Sequence, residues 1–200
     1  MNRKPTDFDE RYRKGDLPWD TGRHDKNLEL VIIEEQIAPC PALELGAGTG
    51  SDAIWLAQQG FKVTALDMSP TAIGIARKKA EAAGVKVEFI VADILRDEIP
   101  SGPFGFVFDR GCFHTFDLPE ERTRFAEIVW KHLNSGGYWF SLIASTDGPK
   151  RESGPPTRSA LDIVSAVESR FEIISLKTTS FDSKLPEAPR SWACLMQKRA

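Results

Sequence analysis

Residues 41–59 read PALELGAGTGSDAIWLAQQ, and this stretch decides the fold. PALEL (41–45) is a short apolar run suited to a strand. It passes straight into the glycine-rich turn GAGTG, and SDAIWLAQQ follows with apolar positions Ile54, Leu56 and Ala57. Gly60 is placed to cap that helix at its carboxyl end. Glycines at such a turn let the backbone bend tightly and come close to a ligand, while the next helix presents free N–H groups. Taken alone the pattern is short, because many α/β proteins keep glycine at this turn for packing.

The same alternation continues on both sides. FKVTALD (61–67) is the next strand, and Ser69 followed by Pro70 forms an N-cap with proline in the first helical turn. That helix carries Ala72, Ile73, Ala76, Ala80 and Ala83 on one stripe and stops at Gly84. VKVEFIV (85–91) alternates with Val85, Val87, Phe89 and Val91 on one face, which predicts a half-exposed strand. FGFVFD (104–109) is apolar throughout, as in a strand covered on both faces. Phe125, Ile128, Val129, His132 and Leu133 lie at helical spacing, Asn134–Gly137 reads as a turn, and YWFSLIA (138–144) is another buried strand. The order β-α-β-α-β, then β-α-β, predicts a parallel, doubly wound sheet with right-handed crossovers.

The last quarter differs. TDGPKRESGPPTR (146–158) is a polar loop, and Leu161, Val164 and Val167 mark a helix behind it. FEIISLKTTSF (171–181) and SWACLMQKR (191–199) are separated only by DSKLPEAPR, too short for a crossover helix, so they predict an antiparallel hairpin at one edge of the sheet. The first thirty residues are polar with isolated aromatics Phe8, Tyr12 and Trp19, and three forms remain open for them: a disordered arm, an extra helix or a flap. DLPWDTG (16–22) favours the flap, since a tryptophan between proline and glycine is costly to leave in water. The expected organisation is one domain over 1–200, with an arm at 1–30, a ligand-binding core at 31–145, and a substrate loop and closing hairpin at 146–200.

Two hundred residues, 41% apolar and 28% charged, suit such a domain. The net charge of −3 gives no basic face for nucleic acid. No apolar run approaches the ~18–20 residues of a membrane span, and the polar start is no signal peptide. Cys40, Cys112 and Cys194 are odd in number and scattered, which predicts reduced thiols in a cytoplasmic protein, neither a disulfide framework nor a zinc site.

Two acids follow strand ends. Asp67 closes the second strand, where a carboxylate can accept from both hydroxyls of a ribose or, alternatively, cap the Ser69 helix. Asp93 follows the third strand in Ala92-Asp93-Ile94, placed for an exocyclic amine with Ile94 beside a ring, or simply for ending the strand. Dinucleotide loops read G-x-G-x-x-G, whereas here Gly50 comes one place early and Ser51 stands at the expected position.

Together ELGAGTG (44–50), LDMS (66–69), VADI (91–94), FDRGCFH (108–114) and LNSGGYWF (133–140) resemble the successive motifs of the class I S-adenosylmethionine-dependent methyltransferases. PWDTG (18–22), GPP (154–156) and the terminal hairpin are similar to the group that holds thiopurine S-methyltransferase, the thiol and halide methyltransferases and the tellurite-resistance methyltransferases. The resemblance implies a Rossmann-like sheet of seven strands in the order 3-2-1-4-5-7-6, strand 7 antiparallel. It implies S-adenosyl-L-methionine as donor and S-adenosyl-L-homocysteine as product. Gly46, Ala47, Gly48 and Gly50 would lie against the methionine part, Asp67 would take the ribose, and Met68, Asp93 and Ile94 would surround the adenine. Asp109 and Arg110 would touch the donor through their backbone, and Trp19 would close over it.

DRGCFHTF (109–116) then becomes the loop after the fourth strand, with Cys112, Phe113 and His114 shaping the acceptor pocket. Transfer from a sulfonium needs alignment of three atoms more than a dedicated catalytic group. Three roles are open: His114 as general base or orienter, Cys112 as covalent nucleophile, or both as lining. Arg110 is placed to hold an anionic acceptor or one of the protein's own acids, and Arg23 and His24 to reach the pocket mouth. His132 reads as structural, and Glu120 and Glu121 suit a helix start. No metal is expected. The acceptor is expected to be a small molecule with a thiol or other soft nucleophile, and the protein a monomer or weak dimer. A nicotinamide-dependent oxidoreductase and a donor-binding protein without turnover are the rivals. DRGC where amino-group methyltransferases of bases carry an NPPY-like tetrapeptide speaks against nucleic acid.

Overall fold

The computed structural model describes residues 5–100, 102–148 and 156–199. Seven strands form one sheet: β1 (Pro41–Leu45), β2 (Lys62–Asp67), β3 (Val87–Val91), β4 (Phe104–Arg110), β5 (Leu133–Ala144), β6 (Phe171–Ser180) and β7 (Arg190–Lys198). Their order is β3-β2-β1-β4-β5-β7-β6, the first five parallel and β7 antiparallel to both neighbours. This is the strand order expected. β4, in mid-sheet, sends Phe106 and Phe108 into one apolar layer and Val107 into the other, which is why its sequence lacks alternation.

Helices α2 (Lys26–Glu34), α3 (Ser51–Gln58) and α4 (Pro70–Ala82) share one layer, whose core includes Leu28, Leu56 and Ile73. α5 (Pro119–His132) and α6 (Ala160–Val167) cover the other face around Phe125, Trp139 and Ile163, and α1 (Pro5–Lys14) docks on α4. The predicted caps form. Ser69 Oγ accepts from the Ala72 N–H at 3.0 Å. α3 ends in a Schellman motif, with Phe61 N–H bonded to the Leu56 carbonyl and Gly60 N–H to that of Ala57, around Gly60 at φ +90°.

One element is new and two local expectations change. α2 carries no expectation from the sequence, and it straddles the boundary drawn at residue 30. The 134–137 turn lies inside β5: Phe104 pairs with Leu133 and Phe106 with Tyr138, so the four residues bulge out opposite Gly105. On α6, Val167 is buried as its place in the stripe suggests, together with Ile163 and Ala166, whereas Leu161 is 74% exposed. Its capping box, Ser159 with Asp162, sets the helix start one residue before Leu161 and so turns that side chain outward. Of the 146–158 loop, residues 149–155, with Gly154 and Pro155 of GPP, lie outside the described residues.

Gly50 is the N-cap of α3 at φ +78°, and a Cβ there would stand 2.8 Å from Ala76 Cβ and 2.9 Å from the Phe89 ring. Strain and overpacking act together, so Gly50→Ala is expected to destabilise the fold by about 2–4 kcal/mol. Urea unfolding monitored by tryptophan fluorescence checks this.

Candidate active site

The strand order reverses between β1 and β4, and outside their carboxyl ends lies a cavity of about 1350 Å³. Glu44, Gly46, Ala47, Gly48, Asp52 and Asp67 line one side of it, followed by Met68, Asp93 and Ile94. Arg110, Cys112 and His114 line it from the loop after β4, and Trp19 lines it from the amino-terminal segment. Three expected residues stand elsewhere, absent from that wall. Gly50 faces α4 and β3. Phe113 is buried edge-on against Phe125 and Trp139. The Asp109 side chain, fully buried, accepts from the Phe113 N–H at 3.0 Å and from Trp139 Nε1 at 3.0 Å.

On the β1–β2 side, Asp67 brackets two turns. Its Oδ2 accepts from the Gly48 N–H and its Oδ1 from the Ser69 N–H, both at 2.8 Å. Ribose contact and helix capping do not exclude each other here, because each carboxylate oxygen keeps a second lone pair. Gly46 (φ +72°) and Gly48 (φ +54°) need the left-handed region, and protein side chains also crowd them. A Cβ on Gly46 would be 3.0 Å from Cys112 Cβ, and one on Gly48 would be 2.8 Å from the Tyr12 hydroxyl.

Burial, with Asp52 and Asp67 nearby, raises Glu44 well above the usual carboxylate range, and its Oε2 has no hydrogen-bond partner. Asp52 is likewise raised by burial, to about 6, although its Oδ1 accepts from the Asp25 N–H at 2.7 Å.

The segment Asp16–Gly22 lies across the cavity. Pro18 O accepts from Lys184 N–H at 2.9 Å, Asp20 Oδ2 from Thr49 Oγ1 at 2.8 Å, and the Trp19 ring meets Tyr12 edge-on. Arg110 settles between its two possible roles. Its Nε donates to Asp25 Oδ2 at 2.7 Å, one terminal nitrogen to Trp19 O at 3.1 Å and the other to Asp182 O, so the guanidinium is committed to the protein. Arg23 lines the cavity, whereas His24 stacks on Trp55 at 4.5 Å, outside it. His132 Nδ1 bonds the Ile128 carbonyl one helical turn back, a structural contact.

The loop after β4 is fixed by the unequal lengths of two strands. β4 ends at Arg110 opposite Leu142, and Gly111 N–H takes the Leu142 carbonyl. β5 continues, and the N–H of Ala144 donates to His114 Nδ1 at 2.9 Å. Arg158, one of the residues that sequence reasoning missed, donates to the carbonyls of His114 and Phe116 and to Asp117. Turning the imidazole over would leave the buried Ala144 N–H unsatisfied, at about 1–3 kcal/mol. The Cys112 thiol is pushed well up by burial and by Asp109, which disfavours the thiolate that a nucleophile needs.

Residues 42–137 match the family described as a methyltransferase domain. A 2-heptyl-1-hydroxyquinolin-4(1H)-one methyltransferase of Mycobacteroides abscessus is 30% identical over 149 residues, 70% of this chain and 65% of that one. A probable thiol methyltransferase 2 of Arabidopsis thaliana is 28% identical over 187 residues, 92% and 79% of the two chains. A solved structure described as "Conversion of a Disulfide Bond into a Thioacetal Group during Echinomycin Biosynthesis" superposes with a TM-score of 0.84 at 27% identity, over 97% of this chain and 92% of that one. These matches support a class I S-adenosylmethionine-dependent methyltransferase.

They likewise support S-adenosylmethionine as the donor. Tyr12, Asp25, Asp52 and Arg158 carried no motif. Tyr12 alone had a signal, as an aromatic isolated in a polar arm. No helix among the described residues is long and apolar enough to cross a membrane.

Burial raises Asp109 from 3.8 to about 6. Between these pH values the folded chain keeps a proton that the unfolded chain has released. Stability on this account is highest below pH 4 and falls by about 3 kcal/mol as pH rises through 6. Asp109→Asn is expected to remove that part of the slope in urea unfolding from pH 4 to 7.

Proposed function

We propose that this methyltransferase transfers the methyl group of S-adenosylmethionine to a small molecule bearing a thiol or a similarly acidic nucleophile. The observation that carries this is the two-sided cavity wall. One side holds the buried carboxylates Glu44, Asp52 and Asp67, and the other holds His114, Phe116 and Phe181. Its volume of about 1350 Å³ exceeds the ~300–1,000 Å³ usual for one ligand, so donor and acceptor fit side by side. The unpartnered Glu44 oxygen suits a ligand with a positive charge and N–H donors, which the donor has.

When bound, S-adenosylmethionine supplies an electrophilic methyl on a sulfonium. In this reading Gly46, Ala47, Gly48 and the backbone of Arg110 hold its amino-acid part. Asp67 accepts from the ribose, and Met68, Asp93 and Ile94 enclose the adenine. Trp19, pinned by Arg110, keeps water from the reacting atoms. The chain's contribution is alignment and exclusion of water, without a covalent enzyme intermediate. The relatives that act on a thiol and on an N-hydroxyquinolone share an acidic acceptor, which supports that class here. The three free thiols suit a reducing compartment such as the cytoplasm.

Titration calorimetry is expected to give binding of S-adenosylmethionine and S-adenosylhomocysteine and none of NAD; the reverse result would sink this function. Glu44→Gln should weaken donor binding about tenfold, the worth of one charge-assisted hydrogen bond. A radiolabelled-methyl screen over thiols and N-hydroxyquinolones checks turnover, and donor binding with no turnover across both would favour a regulatory protein.

A further inference from the structure

We infer that Arg158 is a positioning residue for the methyl acceptor, setting the backbone of residues 114–117 against the cavity. The inference rests on the proposed methyl transfer and adds a residue to it. His114, Thr115 and Phe116 line the cavity, whereas Arg158, 9% exposed, is not among its lining residues. It acts on them through hydrogen bonds to the main chain. One terminal nitrogen of its guanidinium donates to the His114 carbonyl at 2.8 Å, the Phe116 carbonyl at 2.7 Å and Asp117 Oδ1 at 3.1 Å. The segment it holds follows a single short turn, Phe113–Thr115. Within that turn the N–H groups of Thr115 and Phe116 bond back to the carbonyls of Cys112 and Phe113. Beyond it, arginine takes over.

The arginine is itself placed by the sheet. Its N–H donates to the Ala144 carbonyl at 2.7 Å, and its carbonyl accepts from Thr146 N–H and Trp192 Nε1, both at 3.1 Å. Ala144 in turn donates to His114 Nδ1 at 2.9 Å. His114 is thus fixed at both ends by one closed circuit, the ring through Ala144 and the carbonyl through the Arg158 side chain. A second guanidinium, Arg122 of α5, donates to the carbonyls of Phe116 and Asp117 at 2.9 and 2.8 Å. Burial and the neighbouring Arg158 push Arg122 below its usual value, so the two cations are held together at a cost. Buried charges of this kind add little net stability, and what they supply here is one geometry. A shift of about 1 Å in a wall that aligns the acceptor costs on the order of 100-fold in rate.

Arg158→Met keeps a long apolar stem and offers no donor. Hydrogen exchange of the full chain, read by mass spectrometry, should quicken in that variant over residues 112–117 and 143–145. It should stay at the wild-type rate over 44–50 and 66–72. Unchanged exchange over 112–117 overturns the inference without reference to activity. With thiophenol as the acceptor probe, kcat/KM for the thiol should fall about 10- to 100-fold, its KM rising. Affinity and stoichiometry for S-adenosylhomocysteine should stay as they are. A merely structural role lowers kcat and that stoichiometry together at unchanged KM, and such a result overturns the positioning role. All three bonds leave one nitrogen, and a lysine ammonium carries three hydrogens, so Arg158→Lys should recover most of the lost kcat/KM. No recovery overturns the hydrogen-bond account. Wild-type protein that binds no S-adenosylhomocysteine, or leaves the thiol unmethylated, counts against the proposed function, and the exchange result separates that failure from loss of the clamp.

Discussion

Arg110 closes β4 with a guanidinium that three distant segments share. Asp25 before α2, the carbonyl of Trp19 and the carbonyl of Asp182 all accept from it. Asp25 is fully shielded from water, so its charge depends on this partner, and removing one side of such a pair costs about 3–5 kcal/mol. The geometry follows from that pairing. The amino-terminal segment lies across the carboxyl ends of β1 and β4 because its acid has a cation at the end of β4. The β6–β7 connection is drawn to the same point, and its Lys184 and Ser183 then hold Pro18. One side chain thereby turns an open switch-point crevice into a covered cavity.

A second constraint is a mismatch of strand length. β5 outruns β4 at their carboxyl ends, which leaves a backbone N–H facing the loop after β4. Buried N–H groups require acceptors, and His114 supplies one. The same bond makes Nδ1 an acceptor, so the architecture of the sheet fixes which way the ring is turned. Arg158 braces the loop from the other side and reaches it through the bridge between Ser145 and Arg158.

Where local patterns answer to local forces, they held. Ser69-Pro70, Gly60 and Gly84 cap helices as read, since capping involves neighbours three to six residues apart. The apolar run of β4 and the helix-free link before β7 translate directly into a mid-sheet strand and an antiparallel edge. On α6 the marked Val167 lies in the core, whereas Leu161, just inside the capping box, turns outward. α2 escaped notice because its apolar face is short. In the site, Gly50, Asp109 and Phe113 belong to motif stretches yet serve packing. A motif marks a place on the chain, whereas the direction of each side chain depends on what stands opposite.

The sequence by itself determined the class of fold, the antiparallel closing edge, and the glycine turn with its two acids, while the strand order came only with the family resemblance. These follow from short-range periodicity, caps and spacing, which act within one element or between consecutive ones. Only the tertiary structure decided that Arg110 belongs to the protein and not to a ligand. The same holds for Tyr12 over Gly48 and for His114 bonded through Nδ1. Each depends on a partner tens of residues away, at a strand end or in the amino-terminal arm. Such partners meet only once the sheet has set their distance, so the local pattern of the chain contains no record of them.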